Sequence, residues 1–226
     1  MKIIVFGATG GTGRLIVQQA LNRGHSVTAY VRKTQEFNLQ HPLLSVIEGD
    51  LDQKEALEKA IQGHHAVMCA LGAPLMNRDD IRSWGTQKII DAMLQTHVNR
   101  IICMSSYGAG DSYEHLPPLY KYAIVPLILR HVIKDHNGQE DVIRRSGLQW
   151  TIVRPVNLTD TVQTGSFVCG VGKPSQNLTM KISRKDVAAF MVSQITDSTY
   201  LQKAPHLSYG VTGFQPSICA AKKSRA

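Results

Sequence analysis

The run Gly7-Ala8-Thr9-Gly10-Gly11-Thr12-Gly13 lies directly after a short apolar segment and directly before a helix-period one. Its glycines Gly7, Gly10 and Gly13 permit a tight turn, close approach of backbone to a pyrophosphate, and close packing of a helix on a strand. A helix opening at Gly11 and Thr12 would aim free N–H groups and a partial positive charge at those phosphates. The spacing is G-x-x-G-x-x-G rather than the more familiar G-x-G-x-x-G, so the choice of nucleotide rests on the next strand. That strand closes on Tyr30-Val31-Arg32-Lys33 and lacks the acidic residue that would bind a ribose 2′-hydroxyl. Arg32 stands 19 residues beyond Gly13, where a guanidinium can pair with a 2′-phosphate and stack on adenine. Lys33 adds a second charge. The pattern therefore predicts NADP(H) in preference to NAD(H).

The elements that must position this loop follow from periodicity. Apolar runs at Ile3–Phe6, Val27–Val31, Leu44–Ile47, Ala66–Leu71, Ile101–Met104 and Trp150–Val153 read as strands. Between the first two, Gly13, Ile16, Val17, Ala20 and Leu21 share one helical face, and Gly24 supplies a stop. A second helix is expected from Asp52, with Glu55 completing a capping box. A third carries the apolar face Thr86, Ile89, Ile90, Met93 and Leu94, and a later one opens at Ser183. The alternation predicts an α/β chain: a single Rossmann-like domain over residues 1–210, with a doubly wound, mostly parallel sheet and helices on both faces. Residues 211–226 have no periodicity and are expected to form a mobile tail. Tyr107 to Pro118 reads as a loop at a strand end, where open α/β sheets place their ligands. The apolar run Ala123–Leu129, interrupted by Pro126, is expected to be a buried helix flanking the pocket rather than a membrane contact.

Composition narrows the classes. At 226 residues, 43% hydrophobic and 19% charged, the chain can build a full core without metal or disulfide staples. The formal net charge is +8, and removing Lys222, Lys223 and Arg225 leaves +5. No basic run alternates with aromatics, so nucleic-acid binding is not expected. The cysteines Cys69, Cys103, Cys169 and Cys219 show no metal-ligand spacing and are expected to be free thiols in a reducing compartment. The apolar start is too short for a signal peptide, and no segment reads as a membrane span. A cytoplasmic protein is expected, with no membrane partner. The His64-His65 pair would point in two directions, which leaves no metal site.

At the level of motifs, the chain resembles the atypical short-chain dehydrogenase/reductase family in its NmrA-like branch. The resemblance runs from Ile3 to about Tyr209. It rests on Phe6–Gly13, Val31-Arg32, Gly49-Asp50, Arg144–Trp150, Arg154–Asp160 and Ile182–Met191. It implies an NADPH bound across the strand ends, with Gly7, Thr9, Gly10, Gly11, Thr12 and Gly13 at the phosphates and Arg32 on the 2′-phosphate. By the same resemblance Asp50 and Leu51 flank the adenine, and Leu71 and Gly72 pass beneath the ribose. Met104, Ser105, Ser106 and the Arg154, Pro155 to Asn157 turn frame the nicotinamide, and His136 lies near the cofactor. Relatives carry His where this chain has Asn157, which puts a protonation role at that position in doubt.

Ordinary members of this superfamily reduce ketones with a Tyr-x-x-x-Lys pair, whose Lys lets the phenol act as an acid. None of the seven tyrosines has Lys four residues later. A flavin or linear tetrapyrrole accepts hydride into a conjugated system and can take its proton from water. The expected activity is therefore NADPH-dependent reduction of such a planar acceptor, with Ser106 orienting the acceptor or a water. Tyr107 would form one wall, and Lys121, Arg130 or Arg78 would meet acidic groups of the acceptor. The alternatives are an NADP-sensing regulatory protein without turnover and a reductase of quinone or phenylpropanoid-type substrates. A monomer is expected.

Overall fold

The computed structural model describes residues 1–75, 78–175 and 177–211. Six parallel strands make the frame: β1 (Lys2–Phe6), β2 (Ser26–Val31), β3 (Leu44–Glu48), β4 (Ala66–Cys69), β5 (Arg100–Met104) and β6 (Gln149–Pro155). All six fall on the apolar runs read as strands. Four short strands were not anticipated: β7 (Asn157–Thr159), β8 (Val168–Gly170), β9 (Lys181–Ser183) and β10 (His206–Ser208). The main sheet has the order β3-β2-β1-β4-β5-β6-β10-β8, with β8 antiparallel to β10, while β7 and β9 pair separately. The order reverses between β1 and β4, and that switch point opens a crevice beyond the strands' C-terminal ends.

Alternation along β1 sends Ile3 and Val5 to one face and Ile4 and Phe6 to the other. Helices α1 (Gly11–Asn22) and α5 (Arg184–Ser193) cover the first face, burying Ile16, Val17, Val187 and Phe190. Helices α2 (Lys54–Ile61), α3 (Ile81–Gln95) and α4 (Arg130–Arg145) cover the second, with Leu57, Ile61, Ile89, Met93 and Ile143. The sheet is thus buried on both sides, which is why strands such as β4 are apolar throughout. No helix among the described residues is long and apolar enough to cross a membrane.

Several local expectations need correction. Helix α2 starts at Lys54, and no side chain caps it, because the Asp50 carboxylate takes the Asp52 N–H and Asp52 pairs with Lys88. On α3, Leu94 is exposed although its four partners in the predicted face are buried. The stretch Tyr120–Leu129 is a π-helix running directly into α4, with Pro126 removing one backbone donor from its middle. It flanks the cleft through Val125 and Leu129, but its outer face is open: Leu127 is 82% exposed. Cys69 and Cys103 are buried free thiols, whereas Cys169 is disulfide-bonded and Cys219 lies outside the described residues. So does most of the expected tail, of which only Val211 is described.

Candidate functional site

The phosphate end of the crevice is built by two glycines pressed together. Gly7 has φ +76°, and a Cβ there would stand 2.3 Å from the Ala70 carbonyl oxygen. A Cβ on Gly13 would stand 2.0 Å from the Gly7 oxygen, so neither position admits a side chain. This contact sets α1 tightly against β1. No side chain caps α1 and no acid sits in its first turn, so its leading N–H groups face the crevice without a side-chain acceptor among the described residues. The chemistry of this end is that of an anion cradle, and it fits a dinucleotide pyrophosphate.

Farther along the same cleft, Tyr30 passes beneath Gly49 and donates to the Asp50 carbonyl at 3.1 Å. Its ring packs on Phe6 with centroids 5.2 Å apart, which fixes the β3–α2 turn as a shelf. Arg32 leaves the end of β2, exposed, and forms no ion pair among the described residues. That guanidinium stands at the cleft margin. Lys33 does not line the cleft; it acts on Glu48, whose carboxyl is held below the usual range by hydrogen bonds from Thr34 and by Lys33.

The cleft is one continuous cavity of about 1220 Å³. It brings together Gly7, Thr9, Gly10, Gly11, Thr12, Gly13, Arg32, Asp50, Leu51, Leu71 and Gly72 from the switch-point half. Met104, Ser105, Ser106, Tyr107, His136, Pro155 and Asn157 line the other half. Two expected residues are elsewhere. Besides Lys33, Arg154 is buried behind the wall, where Glu140 and Asp111 hold it; its guanidinium lies in the core rather than at a nicotinamide. Lys121, Arg130 and Arg78, expected to meet the acceptor, are not among the residues that line the cleft, and Lys121 pairs with Glu114 at 2.5 Å.

Other residues of the wall were not anticipated. Arg82 lines the cleft while bound to Asp135, whose carboxylate also takes the Arg82 and Ser83 N–H groups and so caps α3 from α4. Arg184, at the start of α5, packs its side chain against Gly11 and pairs with exposed Asp160 at 2.7 Å. It brings a cation to the mouth of the phosphate loop. Its sequence signal was the helix start at Ser183, whose hydroxyl does accept from the Lys185 N–H. The far half is apolar, with Leu116, Val125, Leu129, Val132, Ile133 and Val156.

The polar groups of that far half have defined tasks. Ser105 donates to Glu140 at 2.8 Å, and Ser106 donates to the Tyr107 carbonyl at 3.3 Å. Tyr107 donates to the His115 carbonyl at 3.2 Å, and burial pushes its phenol up to about 12. His136 is buried on α4 with Nδ1 3.3 Å from the Gln139 amide oxygen. Burial, with Arg82 nearby, pushes it down to about 4, so it is neutral near neutral pH. Asn157 donates from Nδ2 to the Tyr120 hydroxyl at 2.6 Å across the cleft. His64 and His65 turn to separate partners, Thr28 and Lys2, and no metal-binding cluster occurs among the described residues.

Known proteins agree with the phosphate end. An uncharacterized chloroplastic protein of Arabidopsis thaliana is 31% identical over 180 residues, 74% of this chain and 62% of its own length. The chain thus spans less than two thirds of that curated relative. A short-chain dehydrogenase/reductase of Veillonella parvula, solved in complex with NADP, superposes with a TM-score of 0.79 at 18% identity, covering 96% of this chain and 99% of that one. An anaerobilin reductase of Escherichia coli O157:H7 superposes at 0.77 and 21% identity, covering 96% and 100%. These two likenesses establish the Rossmann-like fold. The model of the NAD(P)H-binding family matches residues 7–198, from the first glycine of the loop to beyond α5, and the chain belongs to that family.

Proposed function

We propose that the chain is an NADPH-dependent reductase delivering hydride to a planar conjugated acceptor, a flavin such as FMN or a linear tetrapyrrole. The observation that carries this reading is the cleft's division into two unlike halves. A glycine-loop half suited to a dinucleotide continues into an apolar half with few polar groups, and the whole exceeds the roughly 300–1,000 Å³ of a usual ligand pocket. When bound, NADPH supplies the hydride. The protein's part is to hold the phosphates on α1, to lay the acceptor against apolar walls, and to keep water from the reacting faces. Arg32, with no carboxylate at the end of β2, favours the phosphorylated cofactor. The absent Tyr-x-x-x-Lys pair disfavours simple ketones, and the apolar half favours a large flat ligand.

A monomer acting in the cytoplasm on a freely diffusing substrate is part of the same proposal. The test is oxidation of NADPH by purified protein with FMN, and separately with biliverdin, as acceptor. Turnover above the protein-free rate supports the reading. Binding of NADPH with no oxidation by either acceptor refutes it and favours a cofactor sensor.

A further inference from the structure

Ser105, Ser106, Tyr107 and Tyr120 are hydroxyl-bearing residues of the acceptor half of the cleft, and their hydrogens have different fates. Ser105 gives its hydrogen to Glu140, Ser106 to the Tyr107 carbonyl, and Tyr107 to the His115 carbonyl. Tyr120 differs. Its oxygen receives the Asn157 Nδ2–H at 2.6 Å, and its own hydrogen has no acceptor among the described residues. A phenol carries one donor and can accept besides, so the bond from Asn157 leaves the O–H unspent. Both side chains line the cleft, Tyr120 from the π-helix and Asn157 from the start of β7. Pro155, two residues before Asn157, accepts the Tyr107 N–H at 2.9 Å, which ties the chain just before β7 to the segment that follows β5.

We propose that Tyr120 is the catalytic proton donor of this cleft, with Asn157 as its positioning residue, and that the acceptor presents a carbonyl oxygen or ring nitrogen conjugated to the atom that receives hydride. This rests on the reductase reading above. In the step, the acceptor gains a hydride, with its electron pair, from NADPH, which leaves as NADP⁺. The Tyr120 O–H bond breaks as an O–H or N–H bond forms on the acceptor. The phenolate recovers its proton from solvent, which reaches Tyr120 because the side chain is only half-buried. As charge builds on the phenolic oxygen the Asn157 N–H bond strengthens, which steadies the donor where the step needs it. His136, neutral near neutral pH, and Tyr107, whose proton is held to about pH 12, are poorly placed to serve instead. The site therefore supplies a phenol whose hydrogen is unspent in the absence of a Tyr-x-x-x-Lys pair, by a contact between distant segments that no short motif records.

Two substitutions and two readouts test this. Tyr120→Phe removes the hydrogen alone, and Asn157→Asp replaces a donor by a carboxylate that can only accept and would capture it. Both are expected to lower kcat about 100-fold with FMN or biliverdin, within the usual range for general acid catalysis, while NADPH affinity stays within about twofold. Independently of turnover, FMN binding to NADP⁺-loaded protein, read by flavin fluorescence, should weaken about tenfold in Tyr120→Phe. Parent-like kcat in either variant overturns the assignment. If the parent protein oxidises no NADPH, the reductase reading fails, and the fluorescence titration still decides the contact: unchanged affinity in Tyr120→Phe, or no flavin binding at all, overturns it.

Discussion

Arg154 on β6 and Glu140 on α4 meet as a two-point ion pair, Nε to Oε1 at 2.8 Å and Nη2 to Oε2 at 2.6 Å, with each side chain only 2% exposed. Glu140 also accepts from Ser105, and Arg154 reaches Asp111 at 2.8 Å. The pair joins the end of β5, the end of β6 and helix α4, which together carry the wall of the acceptor half.

A buried pair of this kind is costly to break from one side, because the surviving charge loses its buried partner and Arg154 would keep only the exposed Asp111. Glu140→Ala should destabilise the protein by about 3–5 kcal/mol in denaturant unfolding. Removing both charges with Glu140→Leu and Arg154→Met together should recover most of that loss. A single substitution costing under about 1 kcal/mol would show that the network does not brace the wall.

Arg184 stands over Gly11 at the point where α1 begins, and its present partner Asp160 is 86% exposed. An exposed pair is weak, so the guanidinium is available to a pyrophosphate at little cost. Arg184→Ala should weaken NADPH binding about tenfold, equivalent to about 1.4 kcal/mol, and should reduce its salt dependence. Asp160→Asn should leave affinity equal or tighter. Equal affinity of parent and Arg184→Ala by calorimetric titration would remove Arg184 from the site.

Acid should unfold the protein chiefly through two of its three buried histidines, while the third, His64, is lowered in the same direction by burial. His136 and His206 are both pushed down to about 4, chiefly by burial; Arg82 adds to this at His136, and His115 and Arg154 at His206. Below the unfolded value of 6.5 the unfolded chain takes up protons that the native state refuses. Stability should therefore fall as pH drops from 6.5 to about 4 and level off below that, as far as these two groups are concerned. His206→Asn should flatten the decline measured by thermal unfolding across this window. A decline of the same slope in that variant would place the acid sensitivity elsewhere.

What the sequence exposed and what it hid follow physical lines. The six main strands were legible because a sheet buried on both faces needs uninterrupted apolar runs, and Ala66–Cys69 leaves no other reading. The phosphate loop was legible because Gly7 and Gly13 touch within one short segment. The strands β7 to β10 hold three residues each, too few for periodicity to register. Helix α4 was hidden by its charge, since Asp135, Gln139 and Glu140 are buried polar residues whose partners Ser83, Thr86 and Arg154 come from other elements. For the same reason Arg154 resembled a ligand-binding residue: its partner Glu140 comes from another element, and motif spacing cannot show that contact. The Tyr120–Asn157 bond, spanning 37 positions, escaped in the same way.

The most direct test of the central claim follows nicotinamide absorbance with FMN or biliverdin as acceptor, comparing NADPH with NADH in the parent protein and in Arg32→Ala. The account predicts that the parent oxidises NADPH well ahead of NADH, and that Arg32→Ala closes most of that gap by losing NADPH alone. Tight NADPH binding without oxidation by either acceptor would contradict it.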